Sequence, residues 1–252
     1  MSAGSLLGLP TFVINLDRCE ERYYITSERI RKAGFANIRR FRAVDAKNSV
    51  ELSATWESHG NPKFDPARTE FVKWKGEQGC ALSHLNLWRT IANEQIPKAV
   101  VFEDDVFFHK DWEKLHTPFW SATPDDYDIL YLGSQLEIPS NSAICRVPVY
   151  CTHAYVITCE GAAKLYNHVL TGFPQGLCAI DSLLLETMYK SLGGHAPVFN
   201  WYVWNGTHIP DPAAVVDPEW AKRNRGLVFQ DPVFGTDVKP RNDAQAQAMA
   251  AI

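Results

Sequence analysis

No run of apolar residues in this 252-residue chain approaches the roughly 20 needed to cross a bilayer as a helix, so the sequence offers no candidate transmembrane segment. Strong charge of one sign is lacking too. Against 29 acidic residues stand 25 basic ones, a balance of −4, and no basic run accompanies them, which argues against recognition of nucleic acid or an anionic membrane by bulk electrostatics. The six cysteines, Cys19, Cys80, Cys145, Cys151, Cys159 and Cys178, include no pair at the two-residue spacing of zinc sites. They read as reduced packing thiols. Cys145 and Cys151 could bridge a hairpin in an oxidising compartment, the only setting in which the sequon Asn205-Gly206-Thr207 would matter. Residues 1–10 lack the length and the charged start of a signal peptide, so a cytoplasmic protein is expected.

What is present is an ordinary globular composition, 46% apolar and 21% charged, long enough to bury a sizeable core. Strand and helix signals alternate. Residues 11–16 read as a buried strand, 20–33 as a helix ending at Gly34, 38–44 as a second strand and 79–93 as a helix with Leu82, Leu85 and Leu87 inside. Strands follow at 99–103, 128–132, 154–158 and 197–203, with helices at 160–170 and 180–191. Residues 48–75, with Pro62 and Pro66, read as an irregular excursion. Alternation of this kind predicts an α/β domain with a Rossmann-like, mostly parallel central sheet flanked by helices and ligands at the carboxyl ends of the strands. One domain is expected over 1–210. A partly irregular, loosely packed C-terminal extension is expected over 211–252, where prolines recur and the chain ends in polar residues.

The most informative stretch is Ala99-Val100-Val101-Phe102-Glu103-Asp104-Asp105-Val106-Phe107-Phe108, an apolar strand that runs into three consecutive carboxylates. Ionised carboxylates this close repel one another, and apolar flanks make burying them without a partner expensive. A divalent cation resolves the conflict, and an all-oxygen set suits a hard ion such as Mg²⁺ or Mn²⁺. The plainer reading, that Asp104 or Asp105 caps a helix while the others face solvent, stands beside it. Alternation along a strand would place Glu103 and Asp105 on one side and Asp104 on the other.

Six blocks occur in order: Val13-Ile14-Asn15-Leu16-Asp17-Arg18 with Glu21-Arg22; Arg40-Phe41-Arg42-Ala43-Val44-Asp45; Gly79-Cys80-Ala81-Leu82-Ser83-His84; Glu103-Asp104-Asp105; Tyr127-Asp128-Ile129-Leu130-Tyr131-Leu132-Gly133; and His153-Ala154-Tyr155-Val156-Ile157-Thr158 with Gly161-Ala162. Together, over roughly 11–190, they resemble glycosyltransferase family 25, the group of lipooligosaccharide and procollagen galactosyltransferases. The resemblance implies a nucleotide-sugar transferase fold of the GT-A kind, a UDP-sugar donor (a UDP-hexose, galactose or glucose first), a manganese-type ion and inversion at the anomeric carbon, with a glycan or glycoconjugate hydroxyl as acceptor.

That chemistry assigns roles to residues here. Asp105 is expected to bind the ion, and Glu103 the ion, its water shell or the ribose, with Asp104 as a donor-site contact or a structural cap. Asn15, Leu16 and Asp17 are expected around uracil and ribose, Arg22 toward phosphate, and Ala43 and Asp45 at the ribose or base. Ser83 and His84 would line the sugar pocket, although a hydrogen-bonded core histidine explains His84 as well, and His153 likewise. His208 is a candidate second metal ligand. Inversion needs a base for the acceptor hydroxyl; Asp181, opening an apolar helix, fits the position the resemblance implies. It competes with an N-cap role for itself and with Glu160. Two other classes are weighed against this one: an inactive relative that only binds a partner or glycan, and a two-metal phosphoesterase, which would recruit more acids and histidines than lie near this strand.

Overall fold

The computed structural model describes residues 5–60, 75–172, 179–206, 224–231 and 234. After a 3-10 turn at Leu6–Gly8 come β1 (Pro10–Asn15), α1 (Glu20–Lys32), β2 (Asn37–Arg42), α2 (Ser49–Glu57), α3 (Lys75–Asn93), β3 (Lys98–Glu103), β4 (Val106–Phe108) and α4 (Trp112–Ala122). The chain continues with β5 (Ile129–Leu136), β6 (Ile144–Cys145), β7 (Val149–Thr158), α5 (Cys159–Gly172), α6 (Ile180–Leu192), β8 (Trp201–Trp204), β9 (Asn224–Gly226) and β10 (Val228–Gln230).

The main sheet has the order β2-β1-β3-β7-β5-β8-β6, with β9 joined to the free part of β5. The parallel arrangement expected from the sequence holds for β2, β1 and β3 and again for β5 with β8. Between these halves β7 runs antiparallel to both β3 and β5. Alternate residues of the central strands fall into two separate cores, which is how a strand of period two fills both faces of a sheet. Phe12, Ile14, Val101, Tyr131 and Tyr155 pack with α2, α3, α5 and α6 through Trp56, Leu82, Leu85, Leu165 and Met188. Val13, Val100, Phe102, Leu130 and Val156 pack on the other side with Ile30 of α1 and Trp112 of α4. Each fully buried aliphatic or aromatic side chain of this kind contributes about 1.5–3 kcal/mol. The two-sided burial of β3 therefore holds the acidic residues after it rigidly in place.

Three expectations are corrected. Residues 49–57, read as irregular, form α2, capped by the Asn48 side chain, which accepts from the Glu51 N–H at 3.1 Å. Residues 61–74, with Pro62 and Pro66, lie outside the described residues. Loose packing beyond Asp211 does not hold for 224–231: Asn224, Leu227, Val228 and Phe229 are buried, β9 joins the main sheet, and β10 pairs antiparallel with β4. The strand expected to stop at Gly133 continues through it to Leu136. A Cβ on Gly133 would meet the Val228 carbonyl at 1.7 Å, so the glycine is there to admit the incoming C-terminal strand. Among the described residues no helix is long and apolar enough to cross a membrane, and Cys19, Cys80, Cys145, Cys151 and Cys159 are free thiols. Cys178 and Thr207 of the sequon lie outside the described residues.

Candidate active site

At the carboxyl ends of β1 and β3 a cavity of about 380 Å³ opens, lined by the turn after β1, residues 43–47, the first turns of α3, the acidic turn after β3, and Gln230. Its volume lies in the range of small-molecule sites, about 300–1,000 Å³. Helix α3 can form this wall because Gly79 lets it approach the 44–46 backbone; a Cβ there would stand 2.8 Å from the Val44 carbonyl. The Ser83 hydroxyl locks the same contact, accepting from the Val44 N–H at 2.9 Å and donating to the Gly79 carbonyl at 2.6 Å.

The three acids at the end of β3 have three different environments. Asp104 turns toward α1: its oxygens accept from Asn15 Nδ2 and from Arg22, each at 2.5 Å, and its carbonyl accepts from the Thr26 hydroxyl at 2.7 Å. Glu103 turns the opposite way, toward α3, as strand alternation requires. Its Oε1 accepts from the Thr152 hydroxyl at 3.0 Å and lies 3.3 Å from His84 Nε2. Burial works against ionisation of Glu103, but hydrogen bonds from His84 and Thr152 outweigh it, leaving this carboxyl below the usual carboxylate range. Asp105 lies in the turn between β3 and β4 with only 7% of its surface exposed. Its Oδ1 is buried with no hydrogen-bond partner among the described residues, and Oδ2 has Gln230 Nε2 at 3.5 Å and Arg22 at 3.8 Å. Burial, then the Glu103 and Asp104 charges, push its carboxyl well above the normal range despite Arg22. Charge on this acid is costly, and the Arg22 guanidinium offsets the cost only in part. A second arrangement of donors adjoins it: one ligand atom each from Cys80, His84 and Glu103 lie within 4.8 Å of one another.

The remaining residues expected here divide clearly. Asn15, Leu16, Arg22, Ala43, Asp45, Ser83, His84, Glu103, Asp104 and Asp105 all line the cavity. Several of their side chains are already engaged. Asn15 donates to Asp104 and to the Cys19 carbonyl and accepts from Arg40; Asp45 accepts from Arg18 at 3.0 Å and from the Lys47 N–H, bonds that hold its carboxyl low although burial opposes them. Asp17 stands apart from the cavity. It is exposed and bonds Arg42 at 2.6 Å, because the chain turns its side chain outward as it leaves β1. His153 is a core residue, completely buried, with Nε2 on the Val228 carbonyl at 3.1 Å. Glu160 lies in the first turn of α5 and pairs with Lys164 at the surface. His208 lies outside the described residues.

Asp181 is not the N-cap of α6; that position is Ala179, and the Asp181 carboxylate accepts from the Ser182 N–H. It shares an electrostatic neighbourhood with the acidic turn: Asp181, Glu103 and Asp105 each help burial push the thiols of Cys80 and Cys151 upward. Sequence reasoning missed Cys80, Thr152 and Gln230 at this site. The four-residue spacing of Cys80 and His84, one face of a helix, was the available signal for the first; Thr152 and Gln230 arrive through pairings remote in sequence.

The sequence profile described as "Glycosyltransferase family 25 (LPS biosynthesis protein)" matches residues 9–184, more than half of the chain, and the chain belongs to that family. Procollagen galactosyltransferase 1-A of Xenopus laevis is 28% identical over 173 residues, covering 62% of this chain and 28% of that protein. A "Probable inactive glycosyltransferase 25 family member 3" of Bos taurus is 32% identical over 102 residues, covering 36% and 17%. This chain spans less than a third of the length of either relative. Among solved structures, a glycosyltransferase "involved in the glycosylation of the major capsid of PBCV-1" covers 97% of this chain and 100% of its own at 11% identity and a TM-score of 0.48.

Proposed function

We propose that this chain transfers a hexose, galactose or glucose first, from a UDP-sugar to a hydroxyl of a glycan or glycoconjugate, with inversion and with help from Mn²⁺ or Mg²⁺. The observation that carries the reading is the buried Oδ1 of Asp105, without a hydrogen-bond partner among the described residues, beside Glu103 on the wall of the cavity. A buried carboxylate with one oxygen open and a second carboxylate nearby fits a hard divalent cation. Asp105 and Glu103 would hold it, and when bound it supplies positive charge for the departing diphosphate.

The chain's own residues account for the rest. Arg18, Lys47 and Lys75 line the same cavity and offer cationic donors for phosphate oxygens. Asp104 is the structural anchor of the acidic turn, with Asn15 and Arg22 committed to it, so Leu16, Ala43 and Asp45 form the nucleoside end. Asp181 takes the acceptor hydroxyl proton. It opens α6 beyond the cavity lining, and its charge bears on Cys80, which does line the cavity.

The test is hydrolysis and transfer from a panel of UDP- and GDP-hexoses, with and without Mn²⁺. Metal-dependent release of UDP from a UDP-hexose is expected. The competing reading, a binder without activity in a family where one relative is named "probable inactive", predicts no turnover with any donor, and no rise in melting temperature with UDP and Mn²⁺.

A further inference from the structure

Behind the cavity wall, three completely buried side chains on α3 and β7 form a chain of hydrogen bonds that ends on Glu103. Trp88 Nε1 lies 2.9 Å from the Tyr155 hydroxyl, that hydroxyl lies 2.8 Å from His84 Nδ1, and His84 Nε2 lies 3.3 Å from Glu103 Oε1. Trp88, Tyr155 and His84 each have 0% exposure, and neither Trp88 nor Tyr155 lines the cavity.

The proton positions follow from what each group is able to do. An indole N–H only donates, so Trp88 donates to the Tyr155 oxygen. The single hydroxyl proton of Tyr155 then needs an acceptor, and His84 Nδ1 is the group in place to take it. With Nδ1 accepting, the neutral ring carries its proton on Nε2, facing the carboxylate. The opposite tautomer would strand the tyrosine proton in a dry interior and set an imidazole lone pair against Glu103; an imidazolium would strand the same proton. Both ends of the chain therefore select one direction, Trp88 to Tyr155 to His84 to Glu103.

We propose that Trp88 and Tyr155 are positioning residues that fix the Nε2–H tautomer of His84 and thereby aim Glu103, directing two donors onto Oε1 and leaving Oε2 for the cation. Thr152 is the second donor on Oε1. The last step rests on the cation reading above; the tautomer does not. Outer partners of this kind are worth about 10–100-fold in metal affinity.

Mn²⁺ binding is measured by calorimetry on the full chain and on Tyr155→Phe, His84→Asn and His84→Gln, alongside imidazole ¹⁵N spectra, with far-UV circular dichroism to confirm folding. In the wild type the His84 signal, identified by its loss in His84→Gln, is expected to show Nδ1 unprotonated and Nε2 protonated. Tyr155→Phe is expected to weaken Mn²⁺ about 10-fold. His84→Asn, whose amide falls at the Nδ1 position, should weaken it further, and His84→Gln, whose amide reaches the Nε2 position, should restore most of that loss. A protonated Nδ1 overturns the donor chain whatever the metal does. Equal Mn²⁺ affinity in all four folded proteins overturns the aiming of Glu103 while the cation reading stands. Wild-type protein that takes up no Mn²⁺ yet shows the expected tautomer defeats the cation reading and upholds the donor chain.

Discussion

Asp104 and Asp105 are neighbours in sequence with opposite surroundings: both oxygens of Asp104 are held at 2.5 Å by Asn15 and Arg22, whereas Oδ1 of Asp105 is buried with no partner among the described residues. The first is a structural anchor, and the second is a buried acid with one oxygen open. Their substitutions should therefore have opposite consequences. Asp104→Ala strands the donors of Asn15 and Arg22 and is expected to cost about 3–5 kcal/mol of stability, read by urea unfolding without metal. Asp105→Asn removes a charge that the metal-free fold buries at a cost, so it should unfold no earlier than the wild type while abolishing Mn²⁺ uptake. Equal destabilisation by the two would refute the division of roles.

The contact of α3 with residues 44–46 gives a second prediction. Gly79→Ala places a methyl group 2.8 Å from the Val44 carbonyl, and neither a helix backbone nor a strand-end loop gives way easily. Overpacking of this kind costs about 1–3 kcal/mol. Because the same contact shapes the wall bearing Ser83 and His84, UDP affinity measured by calorimetry should fall as well.

Much of this arrangement was legible in the sequence, and the reason is local. The strand of residues 99–103 is an unbroken apolar run ending in charge, and α1 and α6 carry their own periodicity, so each was readable without knowing its neighbours. The α2 helix was hidden by nearby prolines, although Asn48 with Glu51 three residues on is a helix-start pattern. Strands β9 and β10 were not readable, because three-residue strands among prolines acquire their identity only from β5 and β4, about 90 and 120 residues away. The role of Tyr155 was invisible for the same reason: within β7 it looks like any aromatic core residue, and its hydroxyl has meaning only against Trp88 and His84 of α3.

That remoteness makes the C-terminal strands testable. Asp231 donates its N–H to the Asp105 carbonyl at 2.6 Å and its carboxylate accepts from Arg29 at 2.7 Å, while His153 and Gly133 rest against Val228. A chain ending at residue 210 loses all of these and uncovers the core that Leu227 and Val228 cover. It is expected to melt at least about 10 °C below the full chain, given the roughly 2–4 °C lost per kcal/mol at this size, and to show no Mn²⁺ binding. A 210-residue chain that melts normally and binds Mn²⁺ would show the acidic turn to be self-supporting.

A pH dependence follows from His59, away from the cavity. Its Nδ1 meets the Tyr166 hydroxyl at 2.9 Å, and burial, assisted by Arg89, lowers it from 6.5 to about 4. Between those values the unfolded chain binds the proton and the folded one does not, so this contribution is complete above pH 6.5 and lost as pH falls toward 4. At 1.36 kcal/mol per unit the loss is at most about 3 kcal/mol. Unfolding free energies of wild type and His59→Gln, measured from pH 7.5 to 4, should converge at the acidic end; parallel curves would exclude a buried neutral His59.

The Asp181 assignment separates from all of these, because only this residue is asked to act on the acceptor. Asp181→Asn keeps an oxygen for the Ser182 N–H that the carboxylate accepts at 2.8 Å, so α6 should start unchanged and the melting temperature should hold. It leaves Asp105 and Glu103 untouched, so Mn²⁺ and UDP affinity should hold too. What an amide is unable to do is remove a proton. Loss of a general base typically costs about 100- to 10,000-fold, and it should appear in kcat with little change in the donor KM, the pattern of an interaction made only in the transition state. A variant with weakened donor binding and preserved kcat would move Asp181 from the chemistry to the donor pocket, and near-normal turnover would send the search for the base to another residue.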